Sequence, residues 1–403
     1  MSGSAGSTNS RCWSSPPRCW SLSSSRSEQF FASCPRGLEA LLVRELAALD
    51  IAATAVAGGV AFGGSWEGCY RANLGSRIAS RILWRVAEFD YRNEQDLYSA
   101  ARAIDWPRYF RVERTLRVNV TAQKSPLKSL EFATLRVKDA VCDRFRDALG
   151  KRPSIDRANP DLRVHAFLES SRATLYLDTS GEPLFKRGWR AGAAEAPLRE
   201  NLAAGIVMLT GWKPEEALLD PMCGGGTLLV EAAAMARGRA PGAKRRFAFE
   251  KLAAFDTGLW ERVKQEPRGS EHAPAVYGSD TEPKALNAAR RNLAEAGVER
   301  WVKLERADLL ERTAPAPSGV MVMNPPYGER MGSPEELARF YPRLGDALKQ
   351  RFAGWRCCIF TADLRLPKLI RLEPARRTPL WNGALECRLY EFEIVAGSHR
   401  RPK

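Results

Sequence analysis

Two short clusters in the second half of the chain combine residue types that bind ligands and orient amines. The first, 220–227 (DPMCGGGT), sets an acid at the end of a short apolar run and three glycines before a helical pattern. Consecutive glycines let the backbone approach a ligand, and the N–H groups of the following helix favour a carboxylate or phosphate. The spacing matches neither the phosphate-binding loop, which has a lysine after its last glycine, nor G-x-G-x-x-G. It predicts a ligand carrying both an amine and a carboxylate, with a plain strand-to-helix turn as the alternative.

The second cluster, Asn324-Pro325-Pro326-Tyr327, follows an apolar strand pattern that ends at Met323. Two prolines impose an extended, rigid loop. An amide side chain, a fixed carbonyl and an aromatic ring therefore project together at the carboxyl end of a strand, where open α/β sheets bind ligands. The cluster predicts a site for a flat group that bears an amine, with a rigid turn around a core tyrosine as the alternative.

Alternating strand and helix patterns surround both clusters. Strands are predicted at 217–220, 275–278, 302–305, 319–323, 357–360 and 387–394, and helices at 200–209, 227–236, 282–296 and 334–352. This alternation predicts a parallel, doubly wound sheet, interrupted by an insert at 238–275 that is rich in Pro, Gly, Arg and Trp.

The first half of the chain has an α+β pattern with many basic residues. Residues 101–200 hold 20 Lys and Arg against 13 Asp and Glu, a net charge of +7 within a total of +15, which favours a polyanionic partner. Residues 1–27 contain eleven serines, three arginines and no acid, which predicts a disordered tail, with an organellar transit peptide as the alternative.

Composition excludes several other classes of protein. No run of about 18 apolar residues is present, so no membrane-spanning helix is expected. Nine cysteines without a C-x-x-C pair, and only three histidines, suggest neither a zinc site nor a disulfide framework. We therefore expect no metal and a reducing compartment, the cytoplasm.

A junction near residue 182 precedes a segment in which cations alternate with aromatic rings. The segment is Phe185-Lys186-Arg187-Gly188-Trp189-Arg190. Interleaved cations and rings suit phosphate contacts and base stacking. The alternative is a solvated strand end whose tryptophan caps a core.

In this order, the two clusters resemble those of the class I S-adenosylmethionine (SAM) methyltransferases that modify exocyclic amines. The chain also resembles the THUMP-containing guanine-N2 RNA methyltransferases, above all those of large-subunit ribosomal RNA. This resemblance extends over nearly all of 28–398, and the further segments that carry it are 35–39, 137–140, 185–189, 197–204 and 324–330. Gly225 departs from the serine usual in this family, and we expect cofactor binding to survive. Some members continue into a second methyltransferase domain, so the resemblance covers only the guanine-N2 half.

The resemblance implies SAM as cofactor. Asp220 and the glycine loop would hold its methionine end, Asp280 the ribose hydroxyls and Asp308 the adenine amino group. Each carboxylate alone is more often a surface residue or a helix cap, but their recurrence at successive strand ends favours binding. The implied cofactor site comprises Asp220, Pro221, Cys223, Gly224, Gly225, Gly226, Thr227, Asp280 and Asp308.

The resemblance also implies catalytic and RNA-binding residues. The guanine amino group would donate hydrogen bonds to the Asn324 side chain and the Pro325 carbonyl, and Tyr327 would stack on the flipped base. The catalytic set is thus Asn324, Pro325, Pro326 and Tyr327. The predicted RNA contacts are Lys138, Lys186, Arg187, Trp189, Arg190, Arg245 and Arg246.

We therefore expect an α/β protein in which a Rossmann-like class I methyltransferase domain (182–400) follows a tail (1–27), a ferredoxin-like part (28–69) and a THUMP RNA-binding domain (70–181). The expected activity is guanine-N2 methylation of 23S ribosomal RNA, free or in a precursor of the large subunit, by a monomer that does not contact membranes. A tRNA guanine-N2 methyltransferase of the same architecture is the main alternative. A DNA adenine-N6 methyltransferase and a non-catalytic RNA-binding assembly factor are further ones.

Overall fold

The computed structural model describes residues 18–19, 27–190, 198–267, 273–325 and 334–395. These residues form two compact units. Unit 1 contains 18–19, 85–177 and 251–253, and unit 2 contains 27–84 together with the described residues from 178 onward, apart from 251–253. The tail predicted at 1–27 lies outside the described residues except for 18–19 and Ser27.

The elements of the first half are β1 (Arg18–Cys19), β2 (Glu28–Ser33), α1 (Glu39–Ala47), β3 (Ala53–Val56), β4 (Gly59–Gly64), α2 (Trp66–Gly75), β5 (Arg81–Asp90), α3 (Glu94–Ala103), β6 (Leu116–Ala122), α4 (Leu130–Leu149), β7 (Leu162–Leu168) and β8 (Arg172–Asp178). Those of the second half are α5 (Glu200–Leu209), β9 (Ala217–Asp220), α6 (Thr227–Ala236), α7 (Thr257–Gln265), β10 (Val276–Asp280), α8 (Pro283–Ala296), β11 (Val302–Arg306), β12 (Gly319–Met323), α9 (Pro334–Arg351), β13 (Trp355–Thr361), α10 (Leu366–Ile370), β14 (Arg376–Asn382) and β15 (Leu385–Glu393). The predicted boundary at 69/70 falls inside α2.

Unit 1 is built on strands in the order β5-β8-β7-β6, with β7 parallel to β6 and antiparallel to β8. β1 pairs antiparallel with β5. Helix α4 begins where the Ser129 hydroxyl accepts a hydrogen bond from the Phe132 N–H, and it ends at Gly150, whose φ is 68°. Ala133, Val137 and Ala140 are buried at the spacing of one helical face.

The N-terminal part of unit 2 has strands in the order β3-β4-β2-β5, all antiparallel, together with α1 and α2. A buried polar cluster joins it to the chain beyond β8. The Asn73 Nδ2 atom donates to Thr179 Oγ1 at 2.9 Å, and the Ser180 hydroxyl donates to Asn73 Oδ1 at 2.7 Å. Because each of these contacts satisfies a buried polar group, the N-terminal module is an integral part of this unit.

The rest of unit 2 is built on a seven-stranded sheet in the order β11-β10-β9-β12-β13-β15-β14. Its first five strands are parallel, and β15 runs antiparallel to both neighbours. The predicted doubly wound α/β fold is confirmed. The edge strand β14 was not predicted, since Pro379 and the flanking charged residues weaken its strand pattern, and proline is tolerated mainly on edge strands.

A buried ion-pair network ties α6 to two other segments of unit 2. Glu231 of α6 is 2% exposed, and its carboxylate lies 3.3 Å from Arg77 and 3.4 Å from Arg187. Arg77 also donates to the Ala234 carbonyl, and Arg187 to the carbonyls of Leu184 and Arg77. The network therefore links α6, which begins at the glycine loop, to the segment after α2 and to 185–190.

The described helices do not include one with both the length and the apolar character needed to cross a membrane.

The network makes a prediction about stability. Replacing Glu231 by alanine leaves two buried guanidinium groups without their carboxylate, so we expect Glu231→Ala to lower the free energy of unfolding by about 3–5 kcal/mol. Urea unfolding followed by circular dichroism measures this difference. Glu261→Ala, which removes a half-exposed partner of Lys264, is the control and should change it by less than about 1 kcal/mol. Equal effects of the two substitutions would contradict a structural role for the network.

Candidate active site

Four polar residues meet at the carboxyl edge of the seven-stranded sheet. Asp220 and Asp280 are the last residues of β9 and β10, Asn324 directly follows β12, and Asp308 lies two residues beyond β11. These strands are consecutive in the order β11-β10-β9-β12. Because parallel strands end at the same edge, the fold places all four residues along one edge of the sheet. The chain places β10 and β11 on one side of β9 and β12 on the other, and open α/β sheets bind ligands at such a reversal of strand order.

The glycine loop between β9 and α6 is held against α8. Gly224 and Gly226 have φ values of 52° and 76°, which side chains rarely adopt. A Cβ atom on Gly226 would also lie 3.2 Å from the Cβ of Ala289. The Asn292 amide donates to the Gly225 carbonyl at 2.8 Å. At Gly225 itself a Cβ would approach Asn292 only to 3.4 Å, so there is space for a small side chain at this position.

The loop is also tied to the two neighbouring carboxylates. The Gly224 N–H donates to Asp280 Oδ2 at 2.9 Å, and the Met222 N–H donates to Asp220 Oδ1 at 3.2 Å. The Ser279 hydroxyl donates to the Pro221 carbonyl at 3.3 Å. These bonds fix the loop relative to the ends of β9 and β10.

Asp220 is desolvated, with 2% of its surface exposed. Burial, together with the nearby negative charge of Asp280, raises the pKa of Asp220 from 3.8 to about 8. The free protein therefore holds this carboxyl largely protonated at neutral pH, and a cationic ammonium group placed beside it would favour the carboxylate. The buried acid thus fits the amino end of an amino-acid ligand.

The side chains of Cys223 and Thr227, which also belong to the loop, are buried. Cys223 is buried, and burial raises the pKa of its thiol, so it is not a thiolate nucleophile. Its N–H donates to the Ser279 carbonyl at 2.9 Å. Thr227 begins α6, with its hydroxyl 3.5 Å from an Arg190 nitrogen.

Asp280 and Asp308 also cap turns. Asp280 Oδ1 accepts from the Glu282 N–H at 3.0 Å, and Asp308 Oδ1 accepts from the Leu310 N–H at 2.9 Å. Asp280 is partly buried, whereas Asp308 is exposed. A carboxylate has about four acceptor positions, so both side chains can cap and still bind hydroxyl or amino groups.

Asn324 has a buried carboxamide oxygen with no hydrogen-bond partner among the described residues. Leaving such an acceptor unsatisfied costs about 1–3 kcal/mol. Pro325 is buried beside it. Pro326 and Tyr327, the other two predicted catalytic residues, lie outside the described residues. Within the described part of the chain, the Asn324 oxygen thus keeps an acceptor position that a ligand donor could use.

Three of the residues predicted to contact RNA are buried or make contacts within the protein. The side chains of Arg187 and Trp189 are buried, and Arg187 pairs with Glu231. Arg245 donates to the Pro183 and Lys186 carbonyls at 2.6 and 2.8 Å, and burial lowers its pKa to about 10. In this structure the Arg187 and Trp189 side chains are buried, and the partly buried Arg245 guanidinium is hydrogen-bonded to backbone carbonyls.

The other four predicted RNA contacts differ in exposure. Arg190 is partly buried and lies 3.0 Å from Glu200. Lys186 and Arg246 are exposed, and each pairs with an acid four residues away. Lys138 of unit 1 lies 2.8 Å from Asp139, with about a quarter of its side chain exposed. Lys186 and Arg246 have the exposure that a phosphate contact requires.

Sequence reasoning did not identify Asn292, which holds the glycine loop. It lies on the buried face of α8 with Leu286 and Ala289. A polar residue on an otherwise apolar helical face was the available signal. Among the described residues, no group of three His, Cys, Asp or Glu side chains is arranged to hold a metal ion.

Comparison with protein families divides the chain into three matched stretches. Residues 187–391 match the RMKL-like methyltransferase domain, 91–178 match the THUMP domain, and 29–83 match the RlmL ferredoxin-like domain. A curated relative, the ribosomal RNA large subunit methyltransferase K/L of Syntrophotalea carbinolica, is 40% identical over 91% of this chain and 54% of its own length. The chain thus spans about half the length of the curated relatives it matches.

Solved structures resemble the chain over almost its full length. A putative methyltransferase, SMU.472, complexed with SAH, is 30% identical with a TM-score of 0.84, covering 93% of this chain and 100% of that one. A predicted N6-adenine-specific DNA methylase from Listeria monocytogenes is 27% identical with a TM-score of 0.83, covering 92% and 97%. The predicted arrangement of a ferredoxin-like and THUMP region before a Rossmann-like methyltransferase domain is confirmed.

The raised pKa of Asp220 predicts how stability depends on pH. An acid whose pKa is higher in the folded than in the unfolded state stabilises the fold below the unfolded value, and that stabilisation is lost as pH rises through the folded value. Relative to Asp220→Asn, the wild-type free energy of unfolding should fall between about pH 4 and 8, by at most about 1.4 kcal/mol per pH unit. Urea unfolding across this range measures the difference. Asp308→Asn, at an exposed acid, should keep the wild-type profile, and parallel curves for wild type and Asp220→Asn would contradict the raised pKa.

Proposed function

The chain belongs to the RMKL-like methyltransferase family, as the sequence predicted, and from this we propose that it transfers a methyl group from SAM to the exocyclic N2 of a guanine in large-subunit (23S) ribosomal RNA. The predicted cofactor is confirmed by the family and by SMU.472, whose structure contains SAH. The finer assignments, namely the acceptor atom, the RNA and the residues, form the proposal.

SAM supplies an electrophilic methyl group on its sulfonium. The chain's own residues would bind it through the groups described above. The desolvated Asp220 carboxyl, in its ionised form, would pair with the amino-acid ammonium, and the glycine loop allows close approach of the backbone. Asp280 and Asp308, on the next strands, retain acceptor positions for ribose hydroxyls and an adenine amino group.

The observation that carries the proposal is the buried Asn324 oxygen, which has no hydrogen-bond partner within the described part of the chain and lies one strand away from Asp220 in the sheet. An exocyclic amine of a base is a weak nucleophile because its lone pair is delocalised into the ring. A hydrogen bond from the amino group to the Asn324 oxygen would draw that lone pair toward nitrogen and aim it at the methyl group. Such orientation can lower the activation free energy of a bimolecular reaction by about 7–11 kcal/mol.

RNA is favoured as the acceptor by the first half of the chain. The THUMP match at 91–178 overlaps the stretch whose net charge is +7, which suits recognition of structured RNA through shape and backbone. The named curated relative acts, by its name, on large-subunit ribosomal RNA. A base within such RNA must leave its stack to reach the sheet edge. A cytoplasmic location follows from this substrate.

Methyl transfer from labelled SAM tests the proposal. Protein-free 23S ribosomal RNA, precursor large-subunit particles, bulk tRNA and DNA are each incubated with the protein, and the products are digested for nucleoside mass spectrometry. We expect N2-methylguanosine in the ribosomal RNA or its particle. Asn324→Ala should lower kcat on the order of a hundredfold or more, because it removes a hydrogen bond realised in the transition state.

Asn287→Ala is the matched control, since Asn287 is exposed on α8 and should keep wild-type activity. N2-methylguanosine in tRNA alone would show that the protein is a tRNA guanine-N2 methyltransferase. N6-methyladenine in DNA would show that the acceptor base is adenine and not guanine. SAM binding with no transfer to any of the four substrates would favour a non-catalytic RNA-binding factor.

A further inference from the structure

The turn after β13 presents an apolar side chain at the edge of the sheet that carries the candidate active site. Leu364 in this turn is 51% exposed. β13 and β12 are parallel and pair up to Ile359 and Met323. Asn324 and Phe360 are therefore the next residues on the two strands, and the turn begins shortly afterwards. Leu364 therefore lies in the turn that follows the strand adjacent to β12, at the same edge of the sheet as Asn324.

Hydrogen bonds hold the backbone on both sides of Leu364. The Thr361 hydroxyl accepts from the Asp363 N–H at 3.0 Å. The Asp363 carboxylate receives two bonds from the Arg365 guanidinium, both at 2.9 Å, and one from the Arg365 N–H at 3.0 Å. The Tyr390 hydroxyl donates to the Leu364 carbonyl at 3.4 Å. The exposed leucine therefore sits on a well-braced turn.

The short helix α10, which follows the turn, is equally well anchored. Leu366 and Ile370 are completely buried. Helix α9 approaches so closely that a Cβ atom on Gly345 would lie 2.1 Å from the Ile370 carbonyl oxygen. The backbone of α10 thus packs directly on α9, so the turn and the helix form a preorganised surface.

The charges next to Leu364 favour a polyanion as the occupant. Between Asp363 and Glu373 the charged residues are three exposed cations, Arg365, Lys368 and Arg371, of which Arg365 pairs with Asp363. An apolar side chain beside a row of cations suits nucleic acid, in which phosphates contact the cations and a displaced base contacts the apolar group. An acidic or apolar protein surface would use only one of the two features.

We propose that Leu364 packs against the acceptor nucleotide of the RNA and that the Asp363–Arg365 pair positions it. This inference rests on the proposed function and adds a residue that contacts the substrate. A base drawn out of its stack loses apolar contacts with its neighbours. Leu364, fixed one strand from Asn324, replaces part of that contact and so favours the extruded state at the reaction site.

Steady-state kinetics of methyl transfer, with a 23S ribosomal RNA transcript as the substrate, test the proposed contact of Leu364 with RNA. We expect Leu364→Ala to lower kcat/KM for RNA about tenfold or more, mainly by raising KM for RNA, since loss of one apolar contact in a pocket gives effects of this size. SAH affinity and the thermal midpoint should match wild type. Leu364→Met, which keeps the apolar bulk, should restore kcat/KM to within about threefold. Because the lost contact is apolar, the dependence of RNA affinity on salt should not change.

Val395→Ala is the matched control. Val395 is 41% exposed, and it follows Ile394, which pairs with the first residue of β13 at the opposite edge of the sheet. It should behave as wild type. Leu364→Ala with KM and RNA affinity within twofold of wild type, or a loss shared with Val395→Ala, would overturn the inference. So would a change in SAH affinity large enough to account for the loss.

Binding of the same transcript to the SAH-loaded protein separates this inference from the proposed function. If the wild-type protein transfers no methyl group to RNA, the proposed function fails. Weaker RNA binding by Leu364→Ala then still supports a contact with RNA, whereas equal binding by both proteins overturns it.

Discussion

Parallel pairing of β9 with β10 on one side and β12 on the other is the constraint on which the rest of the structure depends. Parallel strands finish at a common edge, and open α/β sheets bind ligands where the strand order reverses, as it does here at β9. That geometry places Asp220, Asp280 and Asn324 at one edge although the first and the last are 104 positions apart in the sequence. The glycine loop, α8 and the turn after β13 then only refine an edge that the pairing has already defined.

Sequence reasoning located this edge because each polar residue directly follows, or nearly follows, an apolar run long enough to be a buried strand. Asp308 shows the limit of such reasoning, since β11 ends two residues earlier and the side chain is exposed. Several elements were missed, and for two of them the physical reason is clear. β14 contains a proline that only an edge strand tolerates, and α10 is a single turn whose stability comes from packing on α9 rather than from its own pattern.

The basic composition was harder to interpret than the motifs. The sequence does not distinguish an arginine that faces solvent from one that donates hydrogen bonds to backbone carbonyls. Arg187 and Arg245 are of the second kind. Arg77 likewise forms an ion pair with Glu231. Part of the net positive charge thus holds the N-terminal module and α6 together, so charge alone overstates the surface available to RNA. Only tertiary contacts distinguish these uses.

The candidate site keeps two desolvated polar groups that the described residues leave without full compensation. No cation pairs with Asp220 in the described part of the chain, and burial together with the charge of Asp280 raises its pKa to about 8; the Asn324 oxygen has no partner in that part either. Both conditions cost folding free energy, and both are relieved by ligands of the kind proposed: an ammonium group beside Asp220 and an amino group beside Asn324. Asp220 ends β9 and Asn324 directly follows the adjacent strand β12, so in the proposed reaction the same backbone pairing would set the distance between the methyl donor and its acceptor. The sheet would then contribute to that reaction by orienting the two ligands.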